Sequence, residues 1–202
     1  MRNYEKIIFL DIDGVLNGWN KPTQIFSDIC MKNKFLKKVW DKWDIFGVRT
    51  LKVFILSIIC HLTGAKVVLS SSWRRSFFKP YKENSDRMKS LKRKFNIFGI
   101  KCIDITPTNK ERIRGLEIEE WLIDTTLDIK SFLIIDDETH DIEEFFPDRI
   151  LKTTVATYQD ILEGKLASKE SGLRFRDILK ALKILSIPND KSYMNNQKGY
   201  IT

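Results

Sequence analysis

Three stretches of the chain share one pattern, a short apolar run that stops abruptly at polar, chemically capable side chains. Lys6 to Leu10 runs into Asp11 and Asp13, Val67 to Leu69 into Ser70, Ser71 and Ser72, and Phe132 to Ile135 into Asp136 and Asp137. Continuous apolar runs of this kind predict strands buried on both faces, as in parallel sheets. Shorter runs over Ile100 to Ile105 and Arg149 to Lys152 predict two further strands. Between the runs, apolar positions recur at helical spacing. Helices are predicted over Asp28 to Trp43, over Thr50 to Leu62, after Ser85 with Met88, Leu91 and Phe95 facing inward, and around Leu116, Ile118, Trp121 and Leu122. Ser85 is the expected N-cap, and Gly64 and Gly99 the expected helix ends. Glu117, Glu119 and Glu120 occupy early helical turns, where acids suit the helix macrodipole. Later helices are predicted over Tyr158 to Leu166 and over Arg174 to Leu185, the latter with Phe175, Ile178, Leu179, Leu182 and Leu185 on one face.

Strand alternating with helix predicts an α/β fold, a three-layer, doubly wound parallel sheet. One domain is expected over residues 1–187. Residues 18–48 form an insert ahead of the second strand, either a small cap over the acidic strand ends or flank packing. Residues 188–202 are polar and aperiodic and predict a loose tail.

Composition narrows the classes of partner. The chain has 202 residues, of which 43% are hydrophobic and 31% charged, enough for one sizeable core. The densest apolar stretch, Val53 to Cys60, is too short to span a bilayer, so no membrane partner is expected. The first strand begins almost at the amino terminus, which leaves no room for a signal peptide. Three scattered cysteines, Cys30, Cys60 and Cys102, predict reduced thiols and a cytoplasmic setting. The two histidines, His61 and His140, are read as structural or surface residues. Net charge is +8, concentrated between Trp73 and Lys94, with a second basic stretch from Lys32 to Lys52. That distribution suits a polyanionic partner, and equally a set of lysine-rich solvated helix faces.

The chemistry follows if the strand ends converge. Asp11-Ile12-Asp13-Gly14 taken alone also reads as a strand end and turn. If the strand persisted, Asp11 and Asp13 would leave the same face. Carboxylates from Asp11, Asp13, Asp136 and Asp137 cannot all stay ionised at close range without a counter-charge. A hard divalent cation supplies one, and all-oxygen ligands with open positions favour Mg²⁺. Ser70, with Ser71 as its rival, adds a hydroxyl, and Arg114, with Arg112 as a weaker rival, adds a guanidinium suited to a phosphoryl group. Arg74 is either a further substrate contact or an exposed arginine at a helix start.

In order and spacing these residues resemble the four motifs of the haloacid dehalogenase-like (HAD) phosphohydrolase superfamily. The likeness runs from about Lys6 to Lys152. Leu69 to Arg74, Ile105-Thr106-Pro107, Arg114 to Ile118 and Trp121-Leu122 are similar, more narrowly, to the HAD domain of Swiss-army-knife RNA-repair proteins. Gly172-Leu173 resembles that subgroup's ending, with Thr154 to Ser171 as an insertion. The resemblance implies a Rossmann-like HAD fold and a role for each motif residue, and the size of the 18–48 insert implies a small cap or none. Asp11 is the nucleophile that becomes an aspartyl phosphate, and Asp13 the general acid and base, its main-chain carbonyl touching the metal. Ser70 or Ser71 and Arg114 hold the phosphoryl group, while Asp136 and Asp137 secure Mg²⁺ with Asp11. Asp13 points away from the carbon–halogen branch of the superfamily.

An open site, the basic stretch and the subgroup likeness together favour a Mg²⁺-dependent phosphatase acting on RNA or DNA ends or nucleotides. Sugar phosphates are the alternative substrates. A catalytically weak HAD-fold nucleic-acid-binding module is the alternative class. A two-component receiver, which also clusters aspartates, expects a different order of motifs.

Overall fold

The structure, a computed structural model, describes residues 4–17, 48–80, 85–155 and 171–190. Its five strands are β1 (Tyr4–Leu10), β2 (Lys66–Leu69), β3 (Cys102–Ile105), β4 (Asp128–Asp136) and β5 (Ile150–Lys152). All pair in parallel, in the spatial order β3-β2-β1-β4-β5. The helices are α1 (Thr50–Thr63), α2 (Arg74–Phe77), α3 (Asp86–Ile97), α4 (Arg114–Asp124) and α5 (Asp177–Ile184).

Side-chain alternation along β1 explains the layers. Ile8 and Leu10 join a core that takes in Val53, Leu56 and Ile59 of α1 and Met88, Leu91 and Phe95 of α3. Ile7 and Phe9 join a second core with Ile118, Trp121 and Leu122 of α4. Both faces of the strand are dry, so an unbroken apolar run is what the position demands. The Phe9 ring sits edge-on to Trp121 and Phe132, at centroid distances of 5.3 and 5.9 Å. Burying a side chain of this size contributes about 2–3 kcal/mol. The chain is thus doubly wound, with helices on each side of a parallel sheet, and it forms the Rossmann-like frame the alternation predicts.

Local signals end the helices where expected. The Ser85 hydroxyl accepts from the Met88 amide, and Gly64 and Gly99 take left-handed backbone at φ 71° and 66°. Three local expectations are corrected. β1 stops at Leu10, and residues 13–17 form a tight turn in which the amides of Val15, Leu16 and Asn17 all donate to the Ile12 carbonyl. Asp11 and Asp13 therefore do not continue one strand face. The last helix begins at Asp177, three residues late, and turns Asp177, Ala181 and Leu185 inward. Phe175 and Leu179 remain 54% and 75% exposed. Small Ala181, which carries little weight in an apolar count, is what fits against the neighbouring elements.

The carboxyl-terminal segment is stitched to the body. The amide of Gly172 donates to the Thr154 carbonyl and that of Leu173 to the Val15 carbonyl. Arg149 reaches the carbonyls of Ile187 and Pro188, and Asn189 bonds the backbone of Lys130 and Ile129. The fastening thus extends past residue 187, the expected domain limit. The predicted helices over Asp28 to Trp43 and Tyr158 to Leu166, the insert up to residue 47, Cys30 and the tail from residue 191 lie outside the described residues. No helix among the described residues is long and apolar enough to cross a membrane.

Gly172 carries a specific steric prediction. Its φ is 72°, and a Cβ there would lie 2.5 Å from the Val15 carbonyl oxygen, a backbone atom of the turn after β1. Gly172→Ala should destabilise the protein by about 2 kcal/mol, from positive-φ strain plus the displaced contact. A lower midpoint in urea unfolding is the expected outcome; an unchanged midpoint would show that the segment does not dock here.

Candidate active site

The sheet order has a consequence for chemistry. β1 lies between β2 and β4, and the chain winds outward from it in opposite directions, which opens a crevice at the carboxyl ends of these strands. Asp11 follows β1, Ser70 and Ser71 follow β2, Asp136 ends β4 and Asp137 follows it. Sheet-like hydrogen bonds continue beyond the strands and hold these ends in register. The Asp11 amide donates to the Ile135 carbonyl, and the Ser70 amide to the Leu10 carbonyl.

Asp11, Asp136 and Asp137 each direct a carboxylate oxygen into one cluster, all within 4.8 Å of one another. Arg114, at the start of α4, sends one guanidinium nitrogen, Nη1, to both Asp11 Oδ1 (3.2 Å) and Asp136 Oδ2. Asp136 Oδ1 accepts from the Glu138 amide at 2.9 Å. Gly14 fits against this cluster. At φ 72° it has room only for hydrogen, since a Cβ there would lie 2.2 Å from Asp137 Cγ.

Electrostatics within the cluster are unbalanced. Burial pushes the Asp11 carboxyl up to about 7; Arg114 and a hydrogen bond from Ser71 oppose this, while Asp136 and Asp13 add to it. Asp136 is raised to about 6 by burial against the pull of Arg114, and Asp137 to about 6 by burial and the neighbouring Asp11. Burial disfavours charge on Arg114 as well, but Asp11, Asp136 and Asp141 outweigh it and raise its pKa above the ordinary value. One guanidinium among three converging carboxylates leaves anionic charge uncompensated. A divalent cation fits that deficit and the hard oxygen donors present.

The serines separate clearly. Ser71 bonds Asp11, whereas the Ser70 hydroxyl is buried without a hydrogen-bond partner among the described residues. Asp13 stands apart from the three-carboxylate cluster. Its Oδ2 accepts from Trp73 Nε1 at 3.1 Å and its Oδ1 from Asn17 Nδ2 at 2.6 Å, while Asn17 Oδ1 accepts from the Gly14 amide. Trp73 and Asn17 thus set the direction of the Asp13 carboxylate.

Arg74 is not an exposed arginine at a helix start. It is 7% exposed, with Nη2 bonded to Glu117 Oε1 at 2.8 Å and to Thr108 Oγ1 at 3.1 Å. Glu117 lies in the first turn of α4, as expected, and is in addition the buried partner of Arg74, also accepting from the Asn109 amide. Removing one member of such a buried pair typically costs about 3–5 kcal/mol, so the pair fastens the loop after β2 to α4. Asp141 completes the frame, its Oδ2 accepting the Arg114 amide and its carbonyl the Gly115 amide. Arg112 is exposed and makes no ion pair among the described residues. Trp73, Asn17, Glu117 and Asp141 were not legible as site residues, since each acts through a partner distant in sequence or through a turn. The thiols of Cys60 and Cys102 are pushed up to about 12 by burial, far from a reactive range. His61 and His140 are both exposed and outside the cluster.

Residues 7–158 match the family model described as the HAD domain in Swiss Army Knife RNA repair proteins. No curated protein matches the chain in sequence.

Buried carboxyls with raised pKa values bind more protons in the folded state than in the unfolded one between their ordinary pKa near 4 and about 7. In the metal-free protein their contribution to stability therefore falls as pH rises through that window, then levels off. Asp11→Asn should raise the Tm of metal-free protein at pH 8 by about 2–4 °C, the shift expected for ~1 kcal/mol in a chain of this size. Near pH 4 the gain should vanish. A lower Tm for the variant at pH 8 would contradict the electrostatic imbalance.

Proposed function

This chain belongs to the HAD domains found in Swiss Army Knife RNA repair proteins, and we propose that it is a Mg²⁺-dependent phosphomonoesterase that acts on nucleic-acid ends through an aspartyl-phosphate intermediate. The family supplies the coarser premise, phosphohydrolase-type chemistry with a divalent metal. The observation that carries the finer reading is the convergence of Asp11 with Asp136 and Asp137 inside 4.8 Å, with Arg114 and Ser71 at the same point.

In this reading Asp11 Oδ attacks phosphorus, an O–P bond forms, and the bond from phosphorus to the leaving oxygen breaks. Asp13 gives its proton to that oxygen, then takes one from the water that attacks the aspartyl phosphate and frees Asp11. Trp73 and Asn17 hold the Asp13 carboxylate in one orientation by donating to its two oxygens. Ser71, and Arg114 by its planar fork, hold phosphoryl oxygens. Ser70 ties the ends of β1 and β2 together, its amide on the Leu10 carbonyl. Arg74, committed to Glu117 and Thr108, keeps the serine loop in place. Asp11, Asp136, Asp137 and the Asp13 carbonyl would hold Mg²⁺, which when bound neutralises charge on the phosphoryl group.

Nucleic-acid ends are favoured over sugar phosphates by the family's association with RNA repair and by the net charge of +8. The purified protein should hydrolyse p-nitrophenyl phosphate in Mg²⁺ and stop in EDTA, and Asp11→Asn should lose at least ~10³-fold in kcat/KM. Undiminished turnover by Asp11→Asn would refute covalent catalysis by that residue. In a panel of 3′- and 5′-phosphorylated oligonucleotides, mononucleotides and sugar phosphates, an oligonucleotide should give the highest kcat/KM. A preference for sugar phosphates would overturn the substrate reading.

A further inference from the structure

We infer that the cleft alongside Arg114 is a second-phosphate subsite, in which Arg75 and Arg112 grip another phosphate of the substrate whose terminal phosphoryl group sits at Asp11. The inference deepens the phosphatase reading and rests on it for the identity of the reacting group.

The cleft has a volume of about 490 Å³, in the range of small-molecule sites and far larger than one phosphate needs. It is contiguous with the catalytic cluster because Arg114 belongs to both. Its walls come from three separate parts of the chain: α2 with Arg75, the β3–α4 connection with Arg112, and the loop after β4 with Glu138 and His140.

Most charges lining the cleft are already committed. Arg74 is neutralised by Glu117, Arg114 by Asp11 and Asp136, and Asp141 accepts the Arg114 amide. Two exposed guanidinium groups, Arg75 and Arg112, remain without an ion pair among the described residues, against a single exposed acid, Glu138. Among the exposed side chains of the cleft the balance is therefore cationic, Asp141 being half-buried beside Arg114. Planar guanidinium forks on two walls suit a tetrahedral oxyanion better than a single carboxylate.

Arg112 is also held in place. It has a φ of 58°, the one positive value outside glycine among the described residues. The Asn109 side chain ties down the backbone on its far side, accepting from the Ile113 amide and donating to the Ile113 carbonyl. An arginine is rarely held in this sparsely populated region, and here its side chain lines the cleft wall. Because the cleft opens from the reacting centre, the second phosphate belongs to the same molecule. It is either the adjacent phosphodiester of a strand or the other phosphate of a nucleoside bisphosphate.

The test compares the wild type with Arg75→Gln/Arg112→Asn, asparagine being chosen because it tolerates positive φ. Substrates are p-nitrophenyl phosphate, a nucleoside 3′,5′-bisphosphate and a 3′-phosphorylated single-stranded oligonucleotide. The double variant should lose about 10- to 100-fold more kcat/KM on the doubly or multiply phosphorylated substrates than on p-nitrophenyl phosphate, chiefly through KM. Loss on both phosphate-rich substrates would identify a single second phosphate as the ligand; loss on the oligonucleotide alone would identify the strand. Equal losses on all three, or none, would overturn the subsite.

Binding separates this inference from the catalytic one. In an Asp11→Asn background, anisotropy of the labelled oligonucleotide should show a Kd about 10-fold weaker with the two arginines replaced, and a shallower dependence on salt. Weakened binding in a protein that hydrolyses nothing would leave the subsite standing and end the phosphatase reading. Unchanged binding in a protein that does hydrolyse p-nitrophenyl phosphate would do the reverse.

Discussion

Carboxylates repel one another, and this chain gathers three of them, two buried and one half-buried, at the ends of two adjacent parallel strands. Asp11 and Asp136 are 5% and 1% exposed, so solvent screens them poorly. With like charges this close, the folded state is tolerable only with protons, Arg114 or a cation present. The raised carboxyl pKa values and the strengthened protonation of Arg114 express the same tension from opposite sides. Stability is being spent on a preorganised site, which is the common reason a fold retains such an arrangement.

Holding that arrangement falls to contacts that span the chain. Arg74 and Glu117 clamp the serine loop to α4, Asp141 secures the first turn of α4, and Gly14 lets Asp137 approach the turn after β1. The Thr153 hydroxyl and the Leu173 amide bond the carbonyls of Gly14 and Val15, so the carboxyl-terminal segment braces the turn from behind. Each contact reduces the freedom of one loop, and together they leave the reacting groups on rigid supports.

The same logic separates residues that face the reacting group from those that support it. Ser71 hydrogen-bonds Asp11, while the neighbouring Ser70 hydroxyl is buried without a partner among the described residues. Arg112, two residues before Arg114, makes no ion pair among the described residues and lines the adjoining cleft. Sequence neighbours therefore have different chemical surroundings, and their order alone does not say which is which.

Local patterning carried much of the information. Apolar runs of strand length bounded by glycine and polar ends fixed the five strands, and Ser85, Gly64 and Gly99 marked helix limits through their own backbone chemistry. The acids at the ends of β1 and β4 were legible because a parallel sheet brings its strand ends to one edge, whatever the loops do. What the tertiary structure alone decided involves partners far apart in sequence: Trp73 on Asp13, Glu117 under Arg74, and the inward turn of Ala181 in place of Leu179. Periodicity records which face of an element is apolar. It does not record which distant hydrogen-bond donor meets which acceptor, or how small a side chain a close approach requires.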